Sequence, residues 1–426
     1  MSKLNIHHLA RIEGHGNVSI EVKNSKVKEI RLDVVEPARL FESMIVGRRY
    51  DEAPLATSRV CGICSANHFV TNLLAVEDAL DITVSERTRT MRQLLVHGSF
   101  LQNHATALYV FAAPDFVQLP SFFPLAETTP EVVQRALRLK KLGNDLCTLV
   151  GGRAVHPITP TVGGFTADVD ADALHVMAQR LRDAAADAAA TAEFFGELQT
   201  PRFDTTSDML ALYEAGTYAV TVGEIRALQA GWTRPIRDYP EVIEEQAVAN
   251  SNAKQALVDD KPFLVGPLAR VNISWDELLP SARVVASKVG LRPVHRNIFS
   301  AHICRAIELV DAVDRCAMLA EELAVSASGT TAGDSVAPEP FEVRAGTGYG
   351  ATEAPRGTLY HSVTLDDRGT VTAADIVTPT SQNLASIAQE LTAYAPTVVD
   401  YEPEDFKRAV EMLIRSYDPC LSCAVH

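Results

Sequence analysis

Four of the seven cysteines fall into two Cys-x-x-Cys pairs, Cys61/Cys64 and Cys420/Cys423. Thiolates are soft ligands, and two such pairs can offer four of them to one metal centre. Structural zinc ribbons usually place their pairs about 15 to 20 residues apart. Here the pairs stand near opposite ends of a chain of 426 residues. Taken alone, the spacing leaves both a structural zinc and a redox-active metal centre open. Cys147 lies among leucines, and Cys304 and Cys316 fall on one expected helix, so these three read as buried thiols. An odd cysteine count at low density does not suit a disulfide-stapled secreted fold.

The flanking residues narrow the chemistry. The first pair lies in Arg59-Val-Cys61-Gly-Ile-Cys64-Ser-Ala-Asn-His68, the second in Asp418-Pro-Cys420-Leu-Ser-Cys423-Ala-Val-His426. These resemble the two signature motifs of nickel-iron hydrogenase large subunits, Arg-x-Cys-Gly-x-Cys-x-x-x-His and Asp-Pro-Cys-x-x-Cys-x-x-His. Further blocks agree with that family: Arg11-Ile-Glu13-Gly-His15, Gly151-Gly-Arg153-Ala-Val-His156-Pro157, Ala354-Pro-Arg356-Gly357, and Pro379-Thr380 followed by Asn383. The resemblance runs from residue 11 to residue 426. The stretches 168–257 and 326–340 match least and are expected to carry subgroup-specific structure.

The resemblance implies that nickel is held by Cys61, Cys64, Cys420 and Cys423. Cys64 and Cys423 would bridge to an iron carrying carbon monoxide and cyanide ligands. Soft sulfur suits nickel, and an open position between the metals would be where dihydrogen is cleaved heterolytically into protons and electrons. By its place in the motif Cys420 is the expected first proton acceptor, and Glu13 the carboxylate that relays the proton onward. Arg356 corresponds to the arginine over the open position, where a fixed, charged fork of donors suits a cyanide. Thr380, after Pro379, takes the place of the hydroxyl that bonds the other cyanide. Asp418 and Asp115 are expected beside Arg356, the duller alternative for Asp115 being an exposed salt bridge. His68, one helical turn past Cys64, is expected to hydrogen-bond that bridging sulfur. His426 resembles a ligand of a buried magnesium, or iron in some members, together with Glu42 and the Ile376 carbonyl. A sequence ending at this histidine looks like a mature chain trimmed by a maturation endopeptidase, or one encoded without an extension.

These residues need a scaffold. Val18, Ile20 and Val22 share one parity, polar residues follow at Lys23-Asn24-Ser25-Lys26, and apolar residues resume to Val34; this reads as a β-hairpin over about 1–35. Helices are expected near Leu40–Ile45 and Cys64–Leu80, then over Ser85–Ala113, Glu131–Val150, Asp170–Phe195 and Ile298–Val325. Glycine and proline at 151–164 mark a break. Leu210–Val222 and Phe341–Val377 read as β excursions, the latter turning at Asp366-Asp367-Arg368-Gly369. The fold expected is α+β, mainly α: a central bundle of long helices with peripheral β-hairpins, residues 1–426 forming one intertwined unit that ends in the ligand segment 418–426.

With 47% hydrophobic and 22% charged residues the chain has a globular composition. Its net charge of −15 disfavours binding to nucleic acid or anionic membranes. It shows no membrane-spanning run and no secretory h-region, and a cytoplasmic location is expected. Only the four paired cysteines are placed for metal, leaving none for an iron-sulfur relay, so electrons must leave through a small subunit carrying clusters. No Gly-x-Gly-x-x-Gly or Walker loop occurs, so any flavin or NAD(P) belongs to partner subunits of diaphorase or ferredoxin type. The competing class is a scaffold like the quinone-site subunit of respiratory complex I, which shares the fold but lacks the bimetallic site and the cysteine pairs.

Overall fold

The computed structural model describes residues 2–23, 26–249, 251–327 and 335–426. The expected polar turn at Asn24-Ser25 and part of the divergent stretch 326–340 lie outside the described residues.

The N-terminal sheet has three antiparallel strands rather than two, Ser2–Ile6, Gly16–Lys23 and Lys26–Val34, in sequence order. Val18 and Ile20 face the core as their shared parity requires. Ser2–Ile6 carries too few apolar residues to stand out as a strand.

Four long helices build the centre. Glu86–Ala105 starts where the Ser85 hydroxyl accepts from the Thr88 amide, and Ala171–Glu197 where the Asp170 carboxylate accepts from Ala173. Pro130–Gly151 has proline in its first turn and stops at Gly152, whose φ of 75° the helix cannot continue. Ala301–Ala327 packs against Ala171–Glu197 and Glu86–Ala105, and the latter also packs on Pro130–Gly151. The first of these was expected to run unbroken to Ala113. Instead it passes through a π-helical stretch at Thr106–Ala112 and ends in Ala113–Phe116, with Pro114 in its first turn. One apolar cluster extends from Ile6 to Tyr417 through these helices. Cys147, Cys304 and Cys316 are buried within it as free thiols, as their surroundings suggested.

The second expected β element, over 341–377, is a three-stranded sheet. Gly346–Ala354, Gly357–Leu365 and Val371–Val377 form an antiparallel meander pressed onto the Ser65–Leu80 helix. The reason is glycine. A Cβ at Gly348 would lie 2.1 Å from the Ala75 carbonyl oxygen, and one at Gly350 2.3 Å from that of Thr71. Their absence lets strand backbone rest on helix backbone. The turn at Asp366–Gly369 forms as expected, with Asp366 Oδ1 accepting from the Arg368 and Thr370 amides. Phe341 to Arg344 precede the strand instead of belonging to it.

The expected 210–222 excursion is a strand at Asp208–Tyr213, paired with Glu224–Ala227 across a loop. Among the described residues no helix is long and apolar enough to cross a membrane.

The turn that carries Arg356 is pinned by a charge cluster. Arg270, 1% exposed, gives Nε and Nη2 to Glu308 (2.6 and 2.8 Å) and Nη1 to Glu353 (2.8 Å). The same guanidinium bonds the Ala354 and Pro355 carbonyls, both at 2.9 Å. Glu308 also accepts from Tyr218 and pairs with His104 at 2.9 Å. Burial raises the Glu308 pKa, but Arg270 and His104 outweigh it and hold the carboxyl well below the usual range. A carboxyl depressed in the folded state adds stability above its unfolded pKa and loses it as pH falls. Arg270→Met strands two buried carboxylates and is expected to cost about 3–5 kcal/mol in urea unfolding at neutral pH. The gap from wild type should narrow as pH drops below 4.5, the ordinary value for Glu308; a gap that widens there would contradict the ion-pair account.

Candidate metal centre

Cys61 follows a short 3-10 turn at Ser58–Val60, and Cys64 occupies the N-cap of the Ser65–Leu80 helix. The positive end of that helix thus faces the sulfurs. The Gly151–Pro157 block is laid over this motif. His156 stands at φ 55°; its backbone N–H donates to Ser65 Oγ (2.9 Å), and its Nδ1 lies 2.9 Å from the Ser58 carbonyl.

The second pair reaches the same point from the C-terminal helix Pro403–Ser416. Asp418 turns the chain at φ 51°, and Cys420 then runs beside Glu13 as an isolated parallel bridge. Leu421 N–H donates to the Glu13 carbonyl at 2.8 Å. The two ends of the chain are therefore stitched together by backbone at the site itself.

The four sulfurs lie within 4.8 Å of one another, and all four cysteines are buried. Cys61 faces Cys420 and Cys64 faces Cys423, each pair at 3.6 Å. Cys420 and Cys423 likewise turn their sulfurs toward each other, and metal binding uses all four cysteines as thiolates. Four convergent sulfur donors with no carboxylate among them fit a soft transition metal.

Glu13, Arg356, Asp418 and Thr380 reach the sulfurs from separate segments. Cys420 Sγ lies 3.0 Å from Glu13 Oε2, in hydrogen-bond geometry. Glu13 also accepts from the Ser422 amide at 3.2 Å and from the Ser422 hydroxyl. Arg356 sits at the tip of a two-residue turn between Ala354 and Gly357. It is 3% exposed, its Nε donates to the Asp418 carbonyl (2.7 Å), and its Nη2 to Asp418 Oδ1 (3.2 Å). Burial works against its charge, and Asp418, Cys61 and Cys64 more than restore it. Arg356 Nη1 and Asp418 Oδ2 are buried without a hydrogen-bond partner among the described residues. Such atoms beside the sulfurs suit a further polar ligand.

Thr380 lies in the first turn of the Pro379–Tyr394 helix, whose N-cap Thr378 accepts from Ser381. Its hydroxyl oxygen accepts the Cys420 N–H at 2.9 Å, which leaves the hydroxyl proton free to donate elsewhere.

Asp115 is not a partner of Arg356. It is buried and paired with Arg415 (2.8 and 2.9 Å) and with Arg11. This is neither the role implied by the resemblance nor an exposed salt bridge. The Pro114 turn aims Asp115 at the C-terminal helix, where it locks residues 10–11 to that helix. Among the described residues no hydrogen bond joins the His68 ring to the Cys64 sulfur; its Nδ1 lies 3.2 Å from His361 Nε2. Burial, with the charges of His426 and Arg39, lowers the His68 pKa to about 3, so the ring is neutral.

At the last residue, Glu42 Oε1 is 3.5 Å from His426 Nε2, and that nitrogen is buried without a hydrogen-bond partner among the described residues. Ile376 is here too, but through its N–H, which donates to Glu42 Oε1 at 3.0 Å. Lys254 lies 3.9 Å from Glu42 and 2.8 Å from Glu245.

Sequence reasoning missed Arg39, whose guanidinium bonds the carbonyls of both Val60 and Ser422 and so clamps one motif to the other. It also missed Ser422, Glu245 and Lys254. For Ser422 a signal existed, since it stands between two candidate ligands.

The sequence profile of the nickel-dependent hydrogenases matches residues 39–134 and 231–426. The chain belongs to the nickel-dependent hydrogenase family. It is 32% identical to the alpha subunit of sulfhydrogenase 1 from Pyrococcus furiosus, across 99% of this chain and 97% of that protein. With a subunit of the F420-non-reducing hydrogenase of Methanothermobacter thermautotrophicus it shares 30% identity, over 100% of this chain and 95% of that one. Its structure superposes on a crystal structure of an NAD+-reducing [NiFe]-hydrogenase in the H2-reduced state with a TM-score of 0.87 and 26% identity, each chain fully covered. A Ni-Fe-Se hydrogenase from D. vulgaris Hildenborough shares the fold, with a TM-score of 0.79 at 23% identity.

The chain is thus a hydrogenase, an oxidoreductase acting on hydrogen, and its four-cysteine group fits a nickel-iron site. A metal-free scaffold of the complex I type would not keep both cysteine pairs. The profile leaves 135–230 unmatched, overlapping the first divergent stretch, but runs through 326–340. Cys64→Ser or Cys423→Ser is expected to abolish nickel retention by elemental analysis, whereas Cys147→Ala, remote from the cluster, should bind nickel and turn over hydrogen normally. Full nickel content in either serine variant would contradict the ligand assignment.

Proposed function

We propose that this chain is the catalytic subunit of a soluble, multi-subunit hydrogenase, in which Cys420 and Glu13 form the first step of the proton path. The observation that carries the reading is the 3.0 Å contact between Cys420 Sγ and Glu13 Oε2 inside a buried four-sulfur cluster. The nickel-iron centre, when bound, supplies the polarising site for heterolytic cleavage of dihydrogen.

Cys61, Cys64, Cys420 and Cys423 would hold the nickel, and Cys64 and Cys423 also the iron. Cys420 Sγ takes up the proton, and Glu13 Oε2 receives it across a single hydrogen bond. The Ser422 hydroxyl and amide hold the Glu13 carboxylate in place. Arg356 Nη1 and the Thr380 hydroxyl would offer donors to cyanide ligands on the iron, whose third diatomic ligand would be carbon monoxide. Asp418 fixes the orientation of Arg356 by accepting two of its bonds. His68, whose Nδ1 is taken by His361, would have its Nε2 to offer the cluster.

Glu42, His426 and the Ile376 carbonyl would hold a magnesium, or iron, at the C-terminus. His426 Nε2, 3.5 Å from Glu42 and without a hydrogen-bond partner among the described residues, supports this. Electrons would pass to a small subunit carrying iron-sulfur clusters, then through diaphorase or ferredoxin-type subunits to NAD(P) or ferredoxin. The naming of both relatives as subunits and the likeness to an NAD+-reducing enzyme support that arrangement. A cytoplasmic location completes the reading.

Glu13→Gln removes the proton acceptor but keeps the shape. It is expected to retain nickel and iron while lowering hydrogen uptake and deuterium-proton exchange by about 100-fold or more. Exchange at the wild-type rate in a fully loaded Glu13→Gln enzyme would overturn the relay.

A further inference from the structure

We infer that His361 and Asn72 fix the tautomer of His68, so that its single N–H is on Nε2. The inference rests on the proposal that His68 offers Nε2 to the sulfur cluster, and names the groups that make it a donor. His68 and Asn72 lie four residues apart on the helix that starts at Cys64, and so share one face. His361 comes from the Gly357–Leu365 strand, which begins immediately after Arg356.

All three side chains are shut off from solvent: His68 is 1% exposed, His361 and Asn72 0%. They form a chain. Asn72 Nδ2 lies 3.2 Å from His361 Nδ1, and His361 Nε2 lies 3.2 Å from His68 Nδ1. Among the described residues neither ring has a carboxylate within hydrogen-bond distance to favour protonation, and burial disfavours the charged form of each. A neutral imidazole has one donor and one acceptor, so a chain of two rings has a direction that its terminal group decides.

The Asn72 amide nitrogen can only donate. His361 Nδ1 must then accept, His361 Nε2–H must donate, and His68 Nδ1 must accept. His68 is left with its proton on Nε2. In the opposite sense, Asn72 would present its oxygen to His361 and leave both hydrogens of a buried NH2 unmet, whereas the sense described leaves the oxygen and one hydrogen unmet among the described residues. The consequence for the centre is one of sign. An N–H facing a thiolate stabilises the sulfur charge, whereas a ring lone pair there repels it. His361 is therefore a positioning residue: it acts on the cluster through His68.

The test is nitrogen-15 magnetic resonance on the full-length protein labelled at histidine, with assignments from His68→Phe and His361→Phe. Both rings are expected to show protonated Nε2 and unprotonated Nδ1. In Asn72→Asp, where the terminal group can only accept, both rings should switch to Nδ1–H. A wild-type His68 protonated on Nδ1, or an Asn72→Asp protein with the His68 tautomer unchanged, would overturn the inference.

In the nickel-loaded enzyme His361→Phe should lower hydrogen turnover by about 10–100-fold and shift the infrared bands of the diatomic ligands. His361→Gln, whose amide can still donate to His68, should recover most of that loss. Equal losses in the two variants would also overturn it. The tautomer readout does not need the metals, so failure of the nickel-iron reading would leave it standing, and a wrong tautomer would sink this inference alone.

Discussion

Four cysteine sulfurs within 4.8 Å of one another, shut away from water, set the problem that the rest of the fold answers. As thiolates they would concentrate negative charge where water cannot screen it, a cost that only metal, fixed cations and aligned donors can offset. The structure places such groups on several sides. Arg356 brings a permanent charge, Arg39 clamps one carbonyl beside the first pair to one inside the second, and the Ser65–Leu80 helix turns its N-terminus toward them. Thr380 holds the Cys420 backbone. Each comes from a different segment, so the cluster cannot assemble before the chain has folded around it.

Two devices bring the ends of the chain together. The N-terminal segment is anchored by Arg11, Asp115 and Arg415, and its Glu13 then runs as backbone and side chain along Cys420. The Arg356 turn is held from behind by Arg270, which bonds two of its carbonyls and both neighbouring carboxylates. Asp115 and Arg270 touch neither the sulfurs nor each other, yet both set where catalytic groups stand. That division explains why buried ion pairs, which add little net stability on their own, are concentrated here: they fix geometry.

The long helices were legible because their apolar residues recur at helical intervals and their ends carry caps such as Ser85 and Asp170. The Pro379–Tyr394 helix was not, since Thr380, Ser381, Gln382, Asn383 and Ser386 are buried alongside Leu384, Ile387 and Leu391, and so many buried polar residues mask the hydrophobic periodicity. The burial of the Gly346–Val377 sheet depends on backbone contacts through Gly348 and Gly350, which composition alone presents as a turn-rich edge. At the site, the cysteines, Glu13, Arg356, Thr380 and Asp418 stand in motifs and were found there. Arg39, Asp115 and the His361 partner of His68 depend on which segments meet, and spacing carries no record of that.

The central claim is that the four-cysteine cluster holds nickel together with an iron bearing carbon monoxide and cyanide. Infrared spectroscopy of the purified protein in the carbonyl and cyanide stretching region, with nickel and iron quantified on the same sample, tests it most directly. The account predicts one carbonyl band, two cyanide bands and one nickel per chain. Zinc alone, with no such bands in protein isolated from cells that mature hydrogenases, would contradict it.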